Sequence, residues 1–140
     1  MKRTSMVSML GLMLLGIFMS GSLSAAAAPP RAALKGLDPV EFVAGKAVHG
    51  KPSLTADHGK FRYIFANEKN KAAFSKDPDR YSIQGDGTCP VAPTQQVDPE
   101  LVMVYKEKIY AFATLPCIGR FMKDPEKFLA AWPGNPDKKK

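Results

Sequence analysis

Residues 63–81 recur 47 positions later as residues 110–128 without a gap, and this duplication limits what the chain can fold into. Tyr63, Phe65, Ala66, Phe74, Lys76, Asp77 and Pro78 align with Tyr110, Phe112, Ala113, Phe121, Lys123, Asp124 and Pro125. Asp79, Arg80 and Tyr81 then meet Glu126, Lys127 and Phe128, their close chemical relatives. An internal period in this range marks a repeated supersecondary unit. Two copies are too few for a solenoid, so the expectation is a pair of modules packed against each other. The repeat carries no reaction with it, and any chemistry must come from residues the copies do not share.

The first 26 residues read as a secretory signal. Lys2 and Arg3 form a basic start, an apolar stretch runs from Met6 to Met19, and small residues follow, with cleavage expected between Ser24 and Ala28. The apolar part is too short for a stable bilayer anchor. The expected mature chain has no transmembrane segment and works in the periplasm or outside the cell. Setting Lys2 and Arg3 aside leaves 18 basic residues against 13 acidic, and three of the basic ones are Lys138, Lys139 and Lys140. No basic stripe with interleaved aromatics remains, which argues against a nucleic-acid partner. The terminal lysines read as a solvated basic tail over residues 133–140.

Periodicity and punctuation then divide the chain. Residues 27–84 form the first module, 85–99 a Gly/Pro-rich crossing loop expected to be ordered, and 100–132 a second, shorter module. In the first, Asp38 caps a short helix with Pro39 at its first position. Strands at residues 53–57 and 61–66 flank a tight turn at His58, Gly59 and Lys60. Asn67 caps a helix over residues 68–76, and Asp77-Pro78 stops it, because the residue before proline disfavours the α region. The second module repeats this grammar, with strands at 101–105 and 109–113, Thr114 as cap and Asp124-Pro125 as stop. The expected fold class is α+β: two tandem ββα units whose short antiparallel hairpins pack on helices. Trp132 is expected to plug the core.

Residues 34–40 (Leu-Lys-Gly-Leu-Asp-Pro-Val), followed by His58-Gly59-Lys60, Tyr63, Phe65, Phe74, Asp77-Pro78 and Tyr81, resemble the YHS-domain family. Residues 106–129 resemble a shorter second copy. The family belongs with the TRASH-type metal-binding modules, so the resemblance implies transition-metal handling, copper first. It also marks where metal-binding members carry cysteines. Glu41, Ala66 and Asn70 stand at those places in the first copy, and Ala113 and Cys117 at the last two in the second. The family's thiolate site is therefore not preserved. Gly85-Asp86-Gly87-Thr88-Cys89 is similar to the glycine-rich loop with an isolated cysteine of exported YHS proteins.

The two cysteines, Cys89 and Cys117, are the residues on which function turns, and they are not equivalent under the 47-residue shift. Three readings stay open. An even cysteine count in an exported chain suits a structural disulfide, which would add on the order of 3–4 kcal/mol. Two thiolates, joined by His58 or by Met103 or Met122, suit Cu(I) or another soft ion. Cys117 near a helix N-terminus also suits thiol–disulfide redox chemistry, although no Cys-x-x-Cys motif is present. His49 is a weaker ligand candidate. Five of the seven methionines lie in the leader, so a methionine cluster is not the basis of a copper site. No nucleophile elbow or phosphate loop points to an ordinary enzyme. The expectation is a non-enzymatic exported binding module that handles copper or a related soft metal, alone or with an exported or membrane metal-handling protein. The alternatives are a redox protein and an adaptor with a structural disulfide.

Overall fold

The computed structural model describes residues 28–139, so the expected leader and most of its cleavage window lie outside the described residues. The chain is α+β. The strands are β1 (Arg31–Ala32), β2 (Lys51–His58), β3 (Phe61–Phe65), β4 (Asp98–Tyr105) and β5 (Lys108–Phe112). The helices are α1 (Pro39–Val43), α2 (Glu68–Lys76), α3 (Pro78–Tyr81), α4 (Leu115–Lys123) and α5 (Pro125–Ala131). One sheet has the order β1-β3-β2 and the other pairs β4 with β5.

The two hairpins share one register. Lys51 faces Phe65, the ladder slips, and Thr55 to His58 then face Ile64 to Phe61. In the second hairpin Asp98 faces Phe112, the ladder slips, and Val102 to Tyr105 face Ala111 to Lys108. Every pair, including the irregularity, is displaced by the 47 residues of the sequence repeat. Helices α2 and α4 follow at the same spacing, and Asp77 and Asp124 each cap the next helix, accepting from Arg80 N and Lys127 N at 3.2 Å. The reason is local. An Asp before Pro ends one helix and its carboxylate then satisfies a free N–H of the next.

Aromatic packing repeats as well. Phe74 packs against Tyr63 and Phe65 with ring centroids at 4.9 and 5.2 Å, and Phe121 meets Tyr110 and Phe112 at 5.7 and 5.2 Å. These alternate strand residues share one face, and both triplets are buried in one continuous core. A bridge between Ile83 and Ile109 ties the halves together, and the Ile83 N–H donates to the Tyr63 hydroxyl at 2.9 Å. Trp132 is 1% exposed and donates Nε1–H to Thr88 Oγ1 at 3.2 Å, so it does plug the core.

Several elements differ from the sequence expectation. Strand β1, for which the sequence reading has no counterpart, pairs in parallel with β3; two residues are too few to leave an alternation signal. The expected tail folds back. Asn135 is 8% exposed and donates Nδ2–H to Leu129 O at 2.9 Å, while Lys108 donates to Asp137 at 2.7 Å. Thr114 occupies the N-cap position of α4, but its side chain makes no capping bond and donates instead to Cys117 Sγ at 3.3 Å.

Burial raises the pKa of Tyr63 and pushes that of Tyr110 up to about 12. The unfolded chain ionises its tyrosines near pH 10, whereas the folded chain keeps these two neutral. Their contribution is therefore complete below pH 10 and lost as pH rises toward 12. Melting temperature should fall across that window, and Tyr110→Phe should flatten the fall. An unchanged slope in the variant would remove Tyr110 as a cause.

Candidate functional site: two buried thiols, a carboxylate hub and a charged cleft

Cys89 and Cys117 are both free thiols, 0% and 7% exposed, and both belong to the continuous core. Cys89 sits in the segment between the two hairpins. Three successive contacts close it: Val97 N to Gly87 O at 3.1 Å, the Thr88–Gln96 bridge, and Cys89 N to Gln95 O at 3.3 Å. This small closed loop turns the Cys89 side chain inward. Cys117 is three residues past the α4 cap, on the side of the helix that carries Phe121 into the core. Pro116 precedes it, where the missing N–H has no partner to lose. The Thr114 hydroxyl aimed at its sulfur is a donor suited to a metal-bound thiolate.

His58 stands apart from this pair. Among the described residues no group of three His, Cys, Asp or Glu side chains is placed to hold a metal ion. His58 packs edge-on against Phe74 at 6.0 Å, and its Nε2 lies 4.0 Å from Asp79 Oδ1. The residue 47 positions later, Tyr105, packs edge-on against Phe121 at 5.8 Å, and its hydroxyl donates to Glu126 at 2.7 Å. His58 thus fills the place of a structural aromatic with a polar tip. Met103 lies half-buried on β4 and Met122 is exposed on α4. His49 faces Leu37 in an isolated bridge.

Glu41, Ala66 and Asn70 converge on one carboxylate, that of Asp38. Asp38 is fully buried. Its Oδ1 accepts from Val40 N at 2.8 Å and Glu41 N at 3.2 Å, and its Oδ2 from Ala66 N at 2.7 Å and Asn70 Nδ2 at 2.9 Å. Asn70 Nδ2 also donates to Glu41 Oε1 at 3.1 Å. One side chain thus caps α1 and holds the end of β3 and the start of α2 together. Amide and carboxylate groups pair with one another at this junction. Asn70 becomes Cys117 in the second copy, and Asp38 becomes Gly85. With no carboxylate to receive an amide, the smaller, less polar thiol suits the position.

A cleft of about 780 Å³ opens between the two hairpin turns, lined by His58, Lys60, Arg80, Asp86, Glu107 and Lys108 among others. Its cations face acids: Arg80 lies 3.7 Å from Glu107 and Lys108 2.7 Å from Asp137. Lys106 pairs with Glu126, which holds the Glu126 carboxyl below its usual range. The sequence reading gave no sign of this cleft, because its walls come from turns far apart in the chain. Compared with protein-family models, with characterised proteins and with solved structures, the chain matches none.

Proposed function

We propose that this chain is an exported protein of two tandem ββα, YHS-like modules that handles a soft metal, Cu(I) first, as cargo held by Cys89 and Cys117. The shared hairpin register, helix spacing and aromatic triplets support the duplication. The observation that carries the metal reading is the pair of unbonded thiols, both buried in one core, one of them receiving a hydroxyl proton. Two sulfur donors without a third ligand suit a soft ion that accepts low coordination. They do not suit zinc, which takes four ligands in structural sites. Burial excludes water from the sulfurs, so loading requires the loop around Cys89 to open.

Anaerobic Cu(I) titration against a competing chelator tests this. The expected result is one Cu(I) per chain, lost in Cys89→Ser and in Cys117→Ser and unchanged in His58→Ala. Equal copper uptake in both serine variants sinks the proposal. Alkylation of protein taken from the export compartment separates the rivals. Labelling of both thiols without reductant, once the chain is unfolded, fits the metal reading. Labelling only after reduction replaces it with a disulfide, structural if glutathione leaves it intact and redox-active if its potential lies well above roughly −300 mV.

A further inference from the structure

We propose that the outward face of α4 is a peripheral docking surface for an anionic lipid bilayer. Leu115 and Met122 are 68% and 64% exposed, and only Val48, at 37%, joins them among the described residues as an exposed large hydrophobic. They are seven residues apart, two helical turns, so they stand on one face. Gly119 lies between them with open space where a Cβ would be, and Ile118 flanks them half-buried. Cys117 and Phe121 already anchor the opposite face in the core. The fold does not require the outer face to be apolar. The matching positions of α2 are Glu68, Ala72 and Ser75, on a helix with the same length and packing.

Beside this stripe, Arg120, Lys123 and Lys127 gather with Asp124 and Phe128 around a shallow depression. None of the three cations has an ion-pair partner among the described residues; Arg120 lies over the Phe128 ring at 5.7 Å. The Asp124 carboxylate accepts from Lys127 N as a helix cap. An apolar strip with a basic rim is the pattern of a helix lying in a membrane interface. Charge and area decide between occupants. A second copy docked face to face would bring two sets of unpaired cations together. One face of a nine-residue helix also offers less than the roughly 800 Å² per partner that stable protein interfaces bury. An anionic bilayer needs only this strip and attracts the cations.

The test is co-sedimentation of the protein, purified from its export compartment, with vesicles of phosphatidylcholine alone or containing 30% phosphatidylglycerol. Binding is expected only to the anionic vesicles and should weaken as salt rises. Lys123→Glu and Lys127→Glu should each weaken it at least about fivefold. Leu115→Ser combined with Met122→Ser should weaken it more than about tenfold. All four side chains are exposed, so circular dichroism should be unchanged, and Lys69→Glu on α2 serves as the control. No binding, binding insensitive to the α4 variants, or self-association abolished by Leu115→Ser/Met122→Ser would each overturn the proposal, the last in favour of a dimer face.

Discussion

Asp38→Ala should destabilise the protein by about 3 kcal/mol or more, a large part of its total stability. The carboxylate is fully buried and accepts four hydrogen bonds. Its removal strands the Ala66 N–H and an Asn70 amide proton in the interior, each at a cost of about 1–3 kcal/mol, and deprives α1 of its cap at about 1 kcal/mol more. Domains of this size have about 5–15 kcal/mol in total. Asp38→Asn is the sharper variant. It keeps the shape and the cap but must turn an NH₂ toward Ala66 N–H and Asn70 Nδ2, donor against donor. It should therefore lose most of what Asp38→Ala loses. Urea unfolding measures both, and a loss below about 1 kcal/mol in either would show that water or local rearrangement replaces the carboxylate.

Gly85→Ala should cost about 2–4 kcal/mol although it adds one methyl group. A Cβ at residue 85 would lie 1.9 Å from Trp132 Cζ2, and the backbone there has φ +73°. Overpacking of this kind costs about 1–3 kcal/mol, and the left-handed backbone adds roughly 1 kcal/mol. The indole is 1% exposed, and Gly134 crowds the same part of the ring, since a Cβ there would lie 2.6 Å from it. Trp132→Ala should cost about 3–5 kcal/mol through loss of the plug. The two changes relieve each other, so Gly85→Ala/Trp132→Ala should lose clearly less than their sum. Strict additivity would mean that the close approach of residue 85 to the indole is not what excludes a side chain.

Much of this arrangement is legible from residues close in sequence. Aromatics at positions 63, 65 and 74 and again at 110, 112 and 121 mark two hairpins each followed by a helix. The Asp-Pro pairs mark where those helices stop. Asn67 is read correctly as a cap, accepting from Asn70 N at 2.8 Å. Thr114 is not, because its hydroxyl has a competing acceptor in Cys117 that a local reading does not weigh. Strand β1 and the folded-back C-terminal segment leave no periodic signal. The first is two residues long, and the second is held by polar contacts such as those of Asn135 with Leu129 and of Lys108 with Asp137.

The candidate site divides along the same line. Cys89 and Cys117 stand out in sequence because they are the only thiols and have no counterparts under the repeat. Their placement in one core depends on the loop closed by Gly87–Val97, a contact between backbone groups that any residues could make. Nothing local in the sequence brings Glu41, Ala66 and Asn70 together, and the Asp38 carboxylate that joins them becomes visible only when α1, β3 and α2 are packed. Local rules of strand alternation, capping and helix termination thus determine which elements form and which faces turn inward, since each acts over a few residues of one chain segment. Tertiary packing alone decides that His58 stands apart from the thiols, that Gly85 must make room for Trp132, and that a charged cleft opens between the hairpin turns. Those outcomes depend on distances between residues up to several tens of positions apart, which no periodicity encodes.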